Sequence, residues 1–291
     1  MDAILVLCRL LHYASALFLF GIGAFQGWLA PQHLARSLDA ALGRAVSVAA
    51  VIGLLSAVAW LFLASGEMGD GWSDVWSPAT WYAVLTDTEF GHVWQIHLLL
   101  GAALVSFLVS GWGRHWRLVT VLGAVYLGSL GFIGHAVMLE GAAGRISRAS
   151  HVVHLLAGGF WLGALVALTA CLGKFGDNDL QSDISHALQR FSGLGHLAVA
   201  AVVATGFVNV ALVLGHWPND TSSPYQLLLL WKIGLVAVMV GLAVVNRYVL
   251  VPKLRDNDAS LQALRLFTVV ELALGVCVVA LVSLFGNLPP K

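Results

Sequence analysis

Residues 225–251 read YQLLLLWKIGLVAVMVGLAVVNRYVLV and contain only two charged side chains, Lys232 and Arg247. An apolar helix of about 20 residues spans the hydrocarbon core of a bilayer, so this stretch is long enough to cross a membrane. Comparable apolar runs occur at approximately 3–30, 46–65, 91–110, 117–139, 150–173, 191–215 and 262–286. The sequence therefore predicts an all-α, polytopic membrane protein with eight transmembrane helices.

The overall composition supports the same class. The chain has 291 residues, of which 59% are hydrophobic and 10% are charged, whereas soluble domains carry roughly a quarter charged residues. A water-soluble fold could not bury that much apolar surface. The formal net charge is zero, which gives no indication of a nucleic-acid partner. We expect the lipid bilayer to be the main surroundings of the chain.

Basic side chains are concentrated in alternate connections between the predicted spans. Ten of the fifteen Lys and Arg residues lie there: Arg36, Arg44, Arg114, Arg117, Lys174, Arg190, Arg247, Lys253, Arg255 and Arg265. Such connections face the cytoplasm in most membrane proteins. With eight spans, both termini are then predicted on the opposite, outer side.

An internal repeat is visible when the two halves of the chain are aligned. HYASALFLFG at 12–21 and HLLAGGFWLG at 154–163 share His, Phe and Gly at equal offsets. Further along, Trp-Gln-Ile at 94–96 matches Trp-Lys-Ile at 231–233 in the same order. Repeats of this kind are common in membrane transporters.

The repeat predicts two tandem four-helix units. The first would comprise residues 1–145 and the second residues 146–291. Because four spans are an even number, the two units would share one orientation in the membrane.

Four histidines are the candidate metal ligands. His12 lies well inside the first predicted span, where a polar ring needs either a hydrogen-bond partner or a metal. His151 and His154 are spaced i,i+3, which places them on one helix face where they can converge on one ion. His135, near the end of the fourth span, lies at the same outer level. The sequence therefore predicts a metal site on the outer side.

Other side chains are predicted as auxiliary ligands. The segment HAVMLE adds Met138 and Glu140 next to the histidine that opens it, and His97 and His196 lie within further spans. Imidazole together with thioether suits copper better than it suits magnesium or calcium. His92 and His97 would point about 140° apart on a helix, so we do not expect them to form a pair.

Four polar residues fall inside apolar runs: Arg9, Lys232, Glu271 and Asn209. An unpaired charge is costly there. The depths of Lys232 and Glu271 are compatible with an ion pair between their extended side chains. A role for Glu271 in a proton relay or an ion path is the alternative.

Several short motifs, in their order and spacing, carry a resemblance to a known family. They are Arg9-x-x-His12, Gly134-His135-Ala136 with Glu140-Gly141, His151-x-x-His154 with Trp161 and Gly163, Arg190-Phe191-Ser192 with Gly195-His196, Asn209, and Asn246-Arg247-Tyr248-Val249-Leu250-Val251-Pro252. Over essentially its whole length the chain resembles the CopD family of bacterial copper-resistance and copper-homeostasis inner-membrane proteins.

The resemblance implies a function and a location. The chain would lie in the bacterial inner membrane, take up a copper ion at a periplasmic histidine site, and transport or handle it across the membrane. It would act as a binding protein and not as an enzyme. Family members often work with a small periplasmic copper-binding protein of the CopC type, and because no CopC-like domain is appended here, that partner is expected to be a separate chain.

A second interpretation uses the same histidines. Membrane cytochromes of the b type hold haem b between two histidines at equal depth on different helices. His12 with His154, or His135 with either, could provide such a pair. A third interpretation is a structural subunit whose histidines only satisfy backbone groups.

Overall fold

The computed structural model describes residues 1–111, 115–134, 138–254 and 258–290, and within these ranges all regular secondary structure is helical. The long helices are α1 (Asp2–Ala24), α2 (Gln32–Met68), α5 (Glu89–Val109), α6 (Trp116–Ser129), α7 (Gly141–Gly173), α8 (Gln181–Leu214), α9 (Pro224–Val245) and α10 (Asp258–Phe285). Two short helices, α3 (Trp72–Val75) and α4 (Pro78–Asp87), lie between α2 and α5. The prediction of an all-α protein is confirmed.

Seven helical segments in the described part of the chain are long and apolar enough to cross a membrane. They are Asp2–Leu29, Gln32–Met68, Glu89–Val109, Gly141–Gly173, Gln181–Leu214, Pro224–Lys253 and Ala259–Phe285. The predicted fourth span is a shorter apolar helix, Trp116–Phe132, which would extend about 25 Å. The protein is therefore polytopic, whereas eight spans remain a prediction.

Some helix starts follow local sequence signals. The side chain of Ser77 accepts a hydrogen bond from the Thr80 N–H at the start of α4, and Ser223 does the same for Gln226 at the start of α9. Proline follows each serine, where its missing N–H costs nothing because the first helical amides have no partner within the helix.

Helix α1 lies at the centre of the molecule, in contact with α2, α6, α7 and α10. Its closest approach is to α7, where Gly21 and Gly163 face each other. A Cβ on Gly163 would lie 2.5 Å from the Leu17 carbonyl oxygen and 2.7 Å from the Cα of Gly21. A Cβ on Gly21 would meet the Gly159 carbonyl oxygen and the Cα of Gly163 in the same way. Only glycine permits this backbone contact.

Two helices end in a wider turn. Residues Phe25–Leu29 continue α1, and residues Asn246–Leu250 continue α9, each as a π-helical segment. Such segments occur frequently at functional sites because they shift the side chains that follow. The second segment carries Asn246 and Arg247 toward α8 and α10.

The helices differ in how much of their apolar surface the protein itself covers. Half of the most apolar window of α2 is buried, compared with 11% of that of α9. The most apolar windows of α8 and α9, which are 17% and 11% buried, therefore leave the most surface for lipid, whereas that of α7 is covered as fully as that of α2.

Candidate metal centre and polar cleft

A pair of histidines lies in the interior of the first half. His12 of α1 and His97 of α5 are both completely buried, and their Nε2 atoms are 2.9 Å apart. The His12 Nδ1 atom is 3.1 Å from the Gly53 carbonyl oxygen and 3.1 Å from Ser56 Oγ, both on α2. These contacts join three helices at one point.

The other side of the pair reaches a fourth helix. His97 Nδ1 is 2.7 Å from the Oγ of Ser129, the last residue of α6. The Ser129 hydroxyl is in turn 2.7 Å from the Tyr126 carbonyl oxygen. The result is a continuous chain of hydrogen-bonding groups from α2 to α6.

This chain can be satisfied in two opposite directions when both rings are neutral. In one, His12 donates from Nδ1 to the Gly53 carbonyl, and His97 donates from Nε2 to His12. In the other, His12 donates from Nε2 to His97, and His97 donates from Nδ1 to Ser129. Either arrangement leaves one unprotonated nitrogen at the contact between the rings, which is the form in which imidazole binds a metal.

Aromatic side chains enclose the pair. The His97 ring lies between Tyr126, with ring centroids 4.1 Å apart, and Trp94, at 4.8 Å. Trp60 meets His12 edge-on at 5.6 Å. The Arg9 guanidinium lies over the Trp60 ring at 5.1 Å, between the pair and the N-terminal end of α1. The enclosure keeps water away from the two imidazoles.

The second half of the chain contains a different site, a cleft between α7, α8, α9 and α10. Glu271 of α10 is only 1% exposed. Its Oε1 accepts a hydrogen bond of 2.6 Å from Asn246 Nδ2, and the Trp161 indole lies beside the same carboxyl group. Arg247 of the π-helical segment donates to the carbonyl and hydroxyl oxygens of Ser192 on α8.

Comparison with known proteins gives the family. A sequence model described as copper resistance protein D-like, N-terminal domain, matches residues 1–145, and one described as copper resistance protein D matches residues 185–285. The chain is 38% identical over 289 residues to the inner membrane protein YebZ of Escherichia coli, covering 97% of both chains. The chain belongs to the CopD family. It is also 32% identical over 306 residues to copper resistance protein D of Pseudomonas syringae pv. tomato, covering 100% of this chain and 98% of the relative. No solved structure matches it.

Membership of the CopD family confirms the resemblance read from the sequence motifs. With several long apolar helices and a relative named as an inner membrane protein, this is a multi-pass inner-membrane protein of the copper-resistance class. Family and fold do not identify the residues that contact copper.

The predicted ligands of this CopD-family chain are distributed over both halves. His154 of α7 is 2.9 Å from Thr205 Oγ1 of α8. His151 and Lys232 lie within electrostatic range of His154. Met138 is exposed and precedes α7. His12 and His154 are thus held by different groups of helices.

Two further predicted ligands, His135 and Glu140, precede α7 in the sequence. His135 lies outside the described residues. Glu140 is an exposed residue that directly precedes α7 and makes no capping hydrogen bond there. Within the described ranges, no group of three or more His, Cys, Asp or Glu side chains is arranged to hold a metal. Among the predicted ligands, His12 and His97 are brought into direct contact.

The expected ion pair between Lys232 and Glu271 is wrong. Lys232 lies 5.9 Å above the Phe285 ring, and Glu271 is bonded to Asn246 instead. The two residues have compatible depths but point to different neighbours. Asn209 has a buried Oδ1 atom with no hydrogen-bond partner among the described residues.

The distance between the paired imidazoles decides what they can hold. A metal–imidazole bond is about 2.0 Å long, so a linear two-coordinate ion would separate the nitrogens to about 4 Å. The observed 2.9 Å is a hydrogen-bond distance. Binding therefore requires the two rings to move apart by about 1 Å. A copper ion in place of the shared proton fits this change.

Haem fits this pair poorly. A bis-histidine haem needs the same separation and also a porphyrin plane between the two rings. The space beside His12 and His97 is filled by Trp94, Tyr126 and Trp60. The geometry therefore does not favour the haem interpretation.

Sequence reasoning missed most of this centre. His97 was expected to be only an auxiliary ligand, and Ser56, Ser129 and Tyr126 were not identified. One signal was available, because Trp94 and His97 are spaced i,i+3 and so share one face of α5.

Proposed function

We propose that this CopD-family protein takes up copper from the periplasmic side and holds it as Cu(I) between His12 and His97 during transfer across the membrane. The observation that carries the proposal is the direct contact of two completely buried imidazole nitrogens. Imidazole is a good copper ligand, and the facing nitrogens already share a single proton that an ion can replace.

The charge of the surroundings favours a monovalent ion. Neither facing nitrogen contacts a carboxylate or a thiolate of the residues that the structure describes. A divalent ion between two neutral rings would keep its full charge in an environment of low polarity, at a much higher cost than a monovalent one. The surrounding aromatic rings add favourable contacts for a cation without adding negative charge.

The remaining predicted ligands would form an earlier stage of uptake. His151 and His154 lie ten and thirteen residues after the first residue of α7, and His135, with Met138 and Glu140 as auxiliary donors, precedes that helix in the sequence. His154 hydrogen-bonds to a threonine hydroxyl, which a metal could replace. A separate CopC-like protein would deliver copper to this region. In this proposal the chain binds and transfers an ion and is not an enzyme.

The topology of eight spans in two tandem units, 1–145 and 146–291, with both termini in the periplasm, is part of the proposal. Its support is the reciprocal contact of Gly21 and Gly163, which occupy equivalent positions in the repeated motif. Parallel helices related by a two-fold axis along the membrane normal make contacts of this kind.

Metal binding by purified protein tests the proposal. The protein in detergent is loaded with Cu(I) without oxygen, and its copper content is measured by mass spectrometry alongside an absorption spectrum. His12→Gln and His97→Gln should each weaken Cu(I) binding at least about tenfold in competition with a chromogenic chelator. Each variant loses one of the two nitrogen ligands.

His92→Gln is the matched control. His92 is on the same helix as His97, but its ring is exposed and bonds only to the Thr86 carbonyl oxygen. It should bind copper like the unaltered protein. Unchanged copper affinity in both buried-histidine variants, with size-exclusion profiles of folded protein, would refute the proposed site. A Soret band would establish haem instead.

A further inference from the structure

The cleft in the second half of the chain has apolar walls and a polar interior. Its empty volume is about 930 Å³, including its open mouth. Apolar side chains such as Leu165, Leu188, Val199 and Val240 form most of the lining. The polar side chains that line it include Glu271, Asn246, Arg247 and His196. A polar interior behind apolar walls is the usual form of a ligand or ion pathway inside a membrane protein.

Glu271 is the most deeply buried of these polar groups. Asn246 donates a hydrogen bond to its carboxyl group, and the Trp161 indole lies beside that group. No ion pair joins it to any residue that the structure describes. An isolated negative charge in an apolar environment is expensive, so the carboxyl group is stable there only if it can also carry a proton.

The charged and titratable groups around the cleft have other partners. On α8, His196 donates from Nδ1 to the Ser192 carbonyl oxygen. On the segment after α9, Arg247 also bonds to Ser192, and the Tyr248 hydroxyl faces His196 Nε2 at 3.4 Å. On α7, the neighbour of the carboxyl group is the neutral Trp161. On α1, which also packs on α10, the ionisable groups make their own contacts: Arg9 lies over Trp60, Cys8 bonds to Ser56, and His12 pairs with His97.

Asn246 can form a hydrogen bond with Glu271 whether the carboxyl group of Glu271 is ionised or protonated. Its Nδ2 now donates to the carboxylate, while its Oδ1 is buried without a hydrogen-bond partner among the described residues. Rotation of the amide by 180° would exchange the two atoms. Oδ1 would then accept a hydrogen bond from the protonated carboxyl group, and Nδ2 would take the place that Oδ1 holds now.

The cleft extends from Glu271 toward one end of the helix bundle. Along α10 its lining extends from Leu264 to Glu271, which corresponds to about 10 Å of helix. Ser192, His196 and Arg247 line the same cleft on the facing helices. Leu264 lies next to Arg265, at the end of the bundle that carries most of the basic residues. That end is the one predicted to face the cytoplasm.

We propose that Glu271 is a reversible proton-binding site that exchanges protons with water through this cleft, with Asn246 turning its amide to match each state. On binding, a proton from water forms an O–H bond on the carboxylate; on release, that bond breaks and the proton returns to water in the cleft. The site uses no residue of the copper centre and does not depend on the proposed copper binding.

Infrared spectroscopy of metal-free protein tests the proposal directly. Protonated carboxyl groups have a carbonyl stretch separate from that of carboxylates. One such band should be present at acid pH, disappear as the pH is raised, and be absent from Glu271→Gln at every pH. Asn246→Leu removes the donor that stabilises the carboxylate, so the band should persist to a pH at least about one unit higher, a tenfold change in proton affinity.

Chemical labelling gives an independent readout. An apolar carbodiimide reacts with protonated carboxyl groups in apolar surroundings, so it should modify Glu271, and the yield should fall as the pH rises. Glu89, which is exposed at the start of α5, is the control, and a water-soluble carbodiimide should modify it instead. The proposal is overturned if folded protein shows no infrared band that is lost in Glu271→Gln, or if that band does not change with pH. Because no copper is present, neither result bears on the copper site.

Discussion

The two halves of the molecule use similar helices to build opposite kinds of interior. In the first half, α1, α2, α5 and α6 close around His12 and His97, and aromatic rings fill the remaining space. In the second half, α7 to α10 leave a cleft beside Glu271. The first interior excludes water from two neutral rings, and the second gives a buried acid a route to solvent.

One pair of equivalent positions explains part of the difference. In the repeat alignment, His97 follows Trp94-Gln95-Ile96, and Gly234 follows Trp231-Lys232-Ile233. A Cβ on Gly234 would meet no atom within 4 Å, so no side chain from that position reaches the interior. His154, which aligns with His12, bonds to Thr205 instead. The aligned position thus carries an imidazole in one half of the chain and no side chain in the other.

The contact between the halves gives the largest expected effect. Gly163→Ala places a methyl group on backbone atoms of α1 that cannot move aside, so we expect a loss of stability of about 3 kcal/mol or more. Gly158→Ala, on the same helix but with open space around it, should stabilise the protein by about 0.5–1 kcal/mol through helix propensity. Thermal unfolding in detergent measures both. Equal stability of the two variants would contradict the close contact.

Substitutions in the histidine pair should cause an intermediate loss of stability. His12→Phe or His97→Phe leaves the other ring with an unsatisfied nitrogen, at a cost of about 1–3 kcal/mol. The double variant should lose less than the sum of the two, with a coupling energy of about 1–2 kcal/mol. Denaturation of the metal-free variants measures the cycle, and His92→Phe should change stability by no more than about 0.5 kcal/mol. Additive losses would show that the two rings do not interact.

The smallest expected change in stability comes from the outer connections. Here the two halves are alike, because each contains an aspartate whose carboxylate accepts local hydrogen bonds. Asp74 accepts hydrogen bonds from the Asp70 N–H and the Thr80 hydroxyl, which lower the pKa of its carboxyl group below the usual 3.8. In the second half, bonds from Ser222 lower the pKa of Asp220 in the same way. A lowered pKa means that the unfolded chain binds the proton more tightly than the folded protein does.

The stability from Asp74 is therefore present above about pH 4 and is lost as the pH falls through the lower pKa of the folded state. Asp74→Asn should make the melting temperature slightly less sensitive to acid in this range. Thermal scans between about pH 5 and pH 3 measure the difference. An identical decline in the variant and the unaltered protein would show that these hydrogen bonds do not persist in solution.

The sequence predicted the features that depend on one helix at a time. Long apolar runs identified the helices, and the helical angle between His92 and His97 correctly predicted that the two do not form a pair. Family motifs identified the CopD family. The depth of a residue along its helix is likewise readable from residue counting.

Features that depend on how helices are rotated against each other could not be predicted. Lys232 and Glu271 are close in depth, but their helices turn them toward Phe285 and Asn246. The partner of His12 proved to be His97, 85 positions away, because α5 packs beside α2 with that face inward. Nothing in the spacing of either histidine encodes that rotation. The predicted role of His135 stays a prediction, because it lies outside the described residues.

The reciprocal contact of Gly21 and Gly163 also has a consequence for the origin of the chain. In the proposed tandem arrangement, one surface meets an equivalent copy of itself across an axis, which is the arrangement found at the interface of a symmetric homodimer. A gene for a four-helix protein that already paired in this way would need only duplication and fusion to give one polypeptide. Once joined, the two copies could diverge, one retaining a closed histidine pair and the other opening around an acid.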